Sequence, residues 1–198
     1  MTRIIAGEAR GRRLVVPRGE LTRPTADRAR EGLFSSLQSL ADVEGARFLD
    51  LYAGSGAIGL EALSRGALAV TLVEDDPAAC TAITKNLTAV ALPGATLVQG
   101  TVEDLLAGPV SAYDVVVLDP PYTLDVDPVL VALVPFLATE AVVAVERRTR
   151  GPAPAWPEGL VAVRSRTYGE ATLHYALRDD ALSDDAHEDD TRVEGRTA

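Results

Sequence analysis

The chain has 198 residues, 47% of them hydrophobic, with 29 acidic against 19 basic side chains and a formal net charge of −10. That length and apolar content suit one globular domain with a sizeable core and exclude extended disorder; no apolar run approaches the roughly 20 residues of a membrane span, Met1-Thr2-Arg3 opens no signal-like segment, and the chain is read as cytoplasmic. A single cysteine, Cys80, excludes an internal disulfide, and with only His174 and His187 beside it no metal centre is expected.

Charge is sorted along the chain. Residues 1–30 carry eight arginines against three acids. Residues 3–5 and 13–16 read as short strands flanking the turn Gly7-Glu8-Ala9-Arg10-Gly11, a hairpin that carries Arg10, Arg12 and Arg13 at its tip. Arg23-Pro24-Thr25 opens a helix with Thr25 as its N-cap; Leu33, Phe34, Leu37 and Leu40 share an apolar face, and Arg28 lies on another. Arginines so placed suit contacts to phosphate. The competing reading is an ordinary solvated face, because arginine is nearly the only cation used and Lys85 is the sole lysine.

From Phe48 the pattern alternates between strands near 47–51, 69–73, 95–99, 114–118 and 141–146 and helices near 57–65, 77–91, 102–107 and 127–138. Such alternation predicts a mostly parallel sheet covered on both faces. Segments 160–166 and 172–177 have no helix between them and form an antiparallel edge hairpin turning at Tyr168-Gly169-Glu170. Residues 179–198 hold eight acids against two arginines and almost no apolar side chain, which predicts a disordered tail. The chain therefore divides into an N-terminal hairpin and helix extension (1–40), an α/β domain (41–178) and an acidic tail (179–198).

Two motifs carry chemistry. The first strand runs into Asp50-Leu51-Tyr52-Ala53-Gly54-Ser55-Gly56-Ala57-Ile58-Gly59, with glycines at the first, third and sixth positions of a dinucleotide-type fingerprint. Gly54 and Gly56 let the backbone pass close under a ligand, and Gly59 lets the helix pack tightly on its strand. The second strand ends at Glu74, twenty residues after Gly54 and followed by Asp75, where a carboxylate can accept ribose hydroxyls. These features fit a nicotinamide dinucleotide or S-adenosylmethionine. Asp50 discriminates, because an acid four residues ahead of the first glycine pairs with a methionine ammonium and repels a pyrophosphate. Thr101 and Val102 follow the third strand, where this fold usually reads an adenine edge.

The second motif is Asp119-Pro120-Pro121-Tyr122, which ends the apolar run Val115–Leu118. Prolines lack an N–H and hold φ fixed, so the corner offers only acceptors. A carboxylate and a carbonyl can take the two hydrogens of an aromatic amine and turn its lone pair toward a methyl group, while Tyr122 stacks on the base. The competing reading is a plain strand-ending turn. The corner holds no cysteine, which excludes pyrimidine-carbon methyl transfer through a thiol nucleophile.

In Arg3-Ile4-Ile5, Gly11-Arg12-Arg13-Leu14, the segment Arg23-Pro24-Thr25-Ala26-Asp27-Arg28-Ala29-Arg30-Glu31, residues 50–65 and Asp119-Pro120-Pro121-Tyr122, the chain resembles the RsmD family of class I methyltransferases over about residues 2–178. The resemblance implies a Rossmann-like, seven-stranded, mostly parallel sheet and S-adenosylmethionine-dependent methylation of guanine N2 in 16S ribosomal RNA or a small-subunit assembly particle. It implies that Asp119, Pro120, Pro121 and Tyr122 position the base, that Asp50, Tyr52, Ala53, Gly54, Ser55, Gly56, Glu74, Asp75, Thr101, Val102 and Asp119 bind the cofactor, and that Arg10, Arg12, Arg13, Arg23 and Arg28 contact RNA. A monomer is expected. The chain departs from the family at Ala6 and Ala9 in the hairpin and in its acidic tail. The alternatives are a DNA adenine or protein glutamine methyltransferase, a nicotinamide oxidoreductase, and a non-catalytic RNA-binding assembly factor.

Overall fold

Residues 2–17 and 24–179 are described by the computed structural model, and they build one seven-stranded sheet with helices on both faces and a small hairpin docked on one side. The strands are β1 (Thr2–Arg3), β2 (Arg13–Leu14), β3 (Arg47–Leu51), β4 (Ala69–Glu74), β5 (Ala95–Gln99), β6 (Tyr113–Leu118), β7 (Leu137–Arg148), β8 (Leu160–Tyr168) and β9 (Ala171–Arg178). The helices are α1 (Pro24–Leu37), α2 (Ala57–Ser64), α3 (Pro77–Val90), α4 (Val102–Leu106) and α5 (Asp127–Leu133). Sheet order is β5-β4-β3-β6-β7-β9-β8, parallel from β5 through β7, with β9 antiparallel to both its neighbours.

Buried parallel strands are apolar on both sides, because helices cover both faces. In β3, β6 and β7, Phe48, Val115, Val117, Val142 and Ala144 pack on one face against Leu33, Phe34 and Leu37 of α1 and Ile83 of α3. Leu49, Leu51, Val116, Leu118, Val143 and Val145 face the other way, against Val129, Leu130 and Leu133 of α5. From β3 the chain winds outward to β4 and β5, then returns to add β6 on the opposite side of β3. That reversal opens a crevice at the carboxyl ends of β3 and β6, the place where doubly wound sheets bind ligands.

Three expectations shift by a few residues. Helix α1 begins at Pro24, so Thr25 stands inside its first turn and is not its cap; proline suits that position because its missing N–H has no intrahelical partner there. The helix expected over 127–138 stops at Leu133, and Val134–Phe136 tighten into a 3₁₀ turn. Pro135 has no N–H to continue the α ladder. The following strand accordingly starts at Leu137, with Glu140 at φ 59° and a register shift against β6 near Tyr113.

The hairpin is fastened to the sheet's helices by buried polar groups. Glu61 of α2, fully buried, accepts the N–H groups of Ile5 (2.7 Å) and Ala6 (2.9 Å) and the Nε–H of Arg65 (2.9 Å). Ser64 Oγ accepts from Ala9 N (2.9 Å) and donates to Ala6 O (2.6 Å). Ala6 and Ala9 thus meet α2 through their backbones. Gly7 sits at φ +81°, where a Cβ would fall 1.7 Å from Ser64 O, so no other residue fits. Asn86 of α3 closes the join: its Oδ1 accepts from Val15 N (2.7 Å) and its Nδ2 donates to the carbonyls of Val15 and Ser55 (2.8 Å each). Cys80 is a buried core residue. Among the described residues no helix is long and apolar enough to cross a membrane.

Candidate active site

The glycine turn follows β3 directly. Tyr52, Gly54 and Gly56 all have positive φ (62°, 56° and 74°), a run that folds the chain back over the strand end before α2 begins. At Gly59 a Cβ would meet Leu72 Cδ2 at 2.6 Å, Val70 Cγ1 at 2.9 Å and Asp50 Oδ2 at 3.1 Å, which is the tight helix-on-strand packing its motif position implied. Glu74 holds the turn from the next strand: its Oε2 accepts from Gly54 N at 2.7 Å, and its Oε1 accepts from Asp75 N (3.0 Å) and Asp76 N (2.9 Å).

Asp50 is 1% exposed, with Oδ2 accepting from Gly59 N at 2.8 Å and Oδ1 buried without a partner. Burial pushes its carboxyl up to about 8, opposed by the Gly59 hydrogen bond and reinforced by the negative charge of Glu74. It lines a cavity of about 250 Å³ together with Tyr52, Ala53, Gly54 and Ser55 of the turn, Asp119 after β6 and Glu146 near the end of β7. Asp27, Ala29, Arg30 and Leu33 of α1 form another wall, so the N-terminal extension is part of the site. An adjoining cleft of about 340 Å³ brings Glu74 and Asp75 together with Asp119, Pro120, Pro121 and Tyr122, and Tyr52, Gly54 and Asp119 line both spaces.

The corner is braced from below. Arg147, 7% exposed, donates through Nη2 to the carbonyls of Tyr122 (3.2 Å) and Leu124 (3.0 Å). Tyr122, 45% exposed, donates its hydroxyl to Glu146 Oε1 at 3.5 Å. Its phenol is pushed up by burial and by the nearby Glu146 and Asp119 carboxylates. Burial likewise pushes the Glu146 carboxyl up, while the Tyr122 hydroxyl pulls it down. Leu118 pairs with Val145 in the parallel register of β6 and β7, so Asp119 and Glu146 occupy neighbouring strand ends.

Other expected site residues lie apart from these spaces. Thr101 caps α4, its side chain accepting from Asp104 N at 3.1 Å, and Val102 is buried in the core; neither lines the cavity or the cleft. Arg10, Arg12 and Arg13 of the hairpin and Arg28 of α1 are exposed, and Arg23 falls outside the described residues, as do residues 180–198 of the acidic tail. Two residues escaped the sequence reading. Arg30, 6% exposed, donates to Arg3 O (2.6 Å) and Asp27 Oδ1 (3.2 Å) and keeps Nε unpartnered. Its spacing from Leu33 and Phe34 puts it on the buried face, which was the available signal. Glu146 ends a buried apolar run just as Asp119 does, and that parallel was its signal.

A switch-point crevice with a buried acid, a glycine turn and an Asp-Pro-Pro corner on a seven-stranded sheet with an antiparallel edge defines a class I methyltransferase fold. The chain belongs to the RsmD family: the family model described as Conserved hypothetical protein 95 matches residues 2–177. It is 35% identical over 187 residues to Ribosomal RNA small subunit methyltransferase D of Escherichia coli (strain K12), covering 93% of each chain. The protein of the same name from Haemophilus influenzae is also 35% identical, over 84% of this chain and 89% of that one. A solved Escherichia coli structure superimposes with a TM-score of 0.79 at 35% identity, covering 90% of this chain and 98% of that chain.

Proposed function

We propose that the protein methylates the exocyclic N2 amine of a guanine in small-subunit (16S) ribosomal RNA, with S-adenosylmethionine as donor. The RNA class rests on the names of the relatives, each a small-subunit ribosomal RNA methyltransferase. The choice of guanine rests on one observation, the pair of carboxylates Asp119 and Glu146 at neighbouring strand ends of one cavity. Guanine presents two adjacent donors on one edge, N1–H and N2–H₂. Adenine sets an acceptor beside its amine, and a carboxylate there would repel it.

The residues fit the cofactor. Its methionine end carries an ammonium and a carboxylate, and the cavity offers a buried anion and a buried cation, each with an unpartnered atom: Asp50 Oδ1 and Arg30 Nε. An ammonium beside Asp50 restores the ionised carboxylate that burial disfavours. When bound, the cofactor supplies a sulfonium methyl reactive enough for direct transfer without a covalent enzyme intermediate. Asp119 accepts one N2 hydrogen and a proline carbonyl the other, which turns the nitrogen lone pair outward. Glu146 accepts N1–H, and Tyr122 stacks on the ring. Asp119 then stabilises the positive charge that builds on nitrogen and passes the proton to water. The exposed arginines of the hairpin and α1 contact the RNA backbone, so residues 1–40 serve as an RNA-binding extension of the catalytic domain, which works in the cytoplasm.

Labelled S-adenosylmethionine, incubated with the protein and with small ribosomal subunits from cells lacking it, is expected to yield N2-methylguanine at a mapped position. Label in DNA or protein alone overturns the substrate class, and label at an adenine overturns the base.

A further inference from the structure

Beyond the corner, on the side away from the cavity, lies a second pocket of about 380 Å³ lined by Tyr122, Thr123, Arg147, Arg148 and Arg150 with the 151–152 turn. No carboxylate lines it. Arg147 is nine-tenths buried, and although Nη2 braces the corner, Nη1 is buried with no hydrogen-bond partner. A buried guanidinium N–H calls for an acceptor that the described residues do not supply, and an anion would supply counter-charge as well. The turn closed by Gly151 N to Arg148 O (2.8 Å) curls Arg148 and Arg150, both exposed, around the same space.

We propose that this pocket binds a phosphate of the RNA backbone next to the target nucleotide, a reading that rests on the RNA methyl transfer proposed above. Three guanidiniums around one small space exceed the charge of a single carboxylate and match the several oxygens of a phosphate. The pocket begins at Tyr122, where the cleft ends, so a base drawn out of its helix into the corner brings its own sugar-phosphate to the pocket mouth. The hairpin docks on α2 and α3, whereas Arg147 points to the opposite face of the sheet. Arginines therefore flank the corner from both sides, and the RNA strand crosses over it.

The test uses the full chain, unmodified small-subunit ribosomal RNA, and the variants Arg148→Glu, Arg150→Glu and Arg47→Glu. Arg47 is exposed at the opposite end of β3 and changes the net charge equally. Arg148→Glu and Arg150→Glu should each weaken RNA binding about tenfold and lower the slope of log K against log salt by about one, whereas Arg47→Glu stays within about twofold of the parent. All three should keep the parent's S-adenosylmethionine affinity. Arg148→Gln and Arg150→Gln, which remove charge without adding any, should rank the same way. If the Arg148 and Arg150 variants match Arg47→Glu in affinity and salt slope, this inference falls alone. If the parent protein binds no ribosomal RNA, the proposed function falls with it.

Discussion

The two sides of the Pro-Pro corner differ in charge, and strand β7 contributes to both. Facing the cavity are Asp50, Asp119 and Glu146; facing the outer pocket are Arg147, Arg148 and Arg150. Glu146 and Arg147 are consecutive in β7, and the pleat sends them to opposite faces of the sheet. A nucleotide has the complementary division, with N–H donors on its base edge and anionic oxygens on its backbone. A strand end that alternates acid and base can therefore orient a nucleotide through the corner, base to one side and phosphate to the other. The net charge of −10 conceals this, because the local sorting of charge decides what the surface attracts.

Substitutions on the acidic side should change turnover and leave RNA affinity intact, the reverse of the arginine variants. Asp119→Ala should have the largest effect, a loss of about 10²–10³-fold in the single-turnover rate of methyl transfer with cofactor and RNA affinities retained, since it removes a group that acts on developing charge. Near-parental turnover would remove Asp119 from the methyl-transfer step. Glu146→Gln should cost about 10–100-fold in kcat/KM on guanine, the value of a charge-assisted hydrogen bond to N1–H. Placing 2-aminopurine at the target position sharpens the point, because it keeps the 2-amine but has an acceptor at N1. The parent should reject it strongly, and Glu146→Gln, whose amide can donate, should narrow the gap; equal discrimination by both proteins would remove Glu146 from base recognition.

Much of this arrangement was legible in the sequence. The mostly parallel sheet, its antiparallel edge hairpin and the placement of Asp50, Glu74 and Asp119 at one crevice follow from alternating apolar segments that end in acids, whereas the order of the strands does not. What stayed hidden depends on side chains from distant elements. Glu61, Ser64 and Asn86 lie on helices whose periodicity marks them only as buried, and nothing local reveals that their partners are the backbone groups of residues 5–15. Arg30 belongs to an arginine-rich segment that reads as a nucleic-acid surface, yet its helical face turns it into the cavity. Thr101 follows a strand end, and its position there does not reveal that its hydroxyl also caps α4 by accepting from Asp104 N–H.

Glu74→Ala removes the acceptor of three backbone N–H groups and so loosens the glycine turn as well as any ribose contact. It should weaken S-adenosylmethionine binding about tenfold or more, the scale of a lost charged hydrogen bond, and unchanged affinity in a calorimetric titration would refute that role.

Asp50→Asn has the most diagnostic sign. The Asp50 carboxyl lies near 3.8 when unperturbed and is pushed up to about 8 in the folded protein. Between those values the native state keeps a proton that the unfolded chain has released, so this group's contribution to stability falls as pH rises and is lost by about pH 8. Asparagine keeps an acceptor for Gly59 N–H and carries no charge. Without cofactor, the variant should match the parent below pH 4 and become more stable than it by pH 8, where each ~1 kcal/mol appears as about 2–4 °C in Tm. Added S-adenosylmethionine should reverse the ranking, since the ammonium restores the parent's ionised carboxylate and has no counter-charge in the variant. A parent and variant with parallel Tm curves across this range, with or without cofactor, would mean that Asp50 is neither desolvated nor a partner for an ammonium.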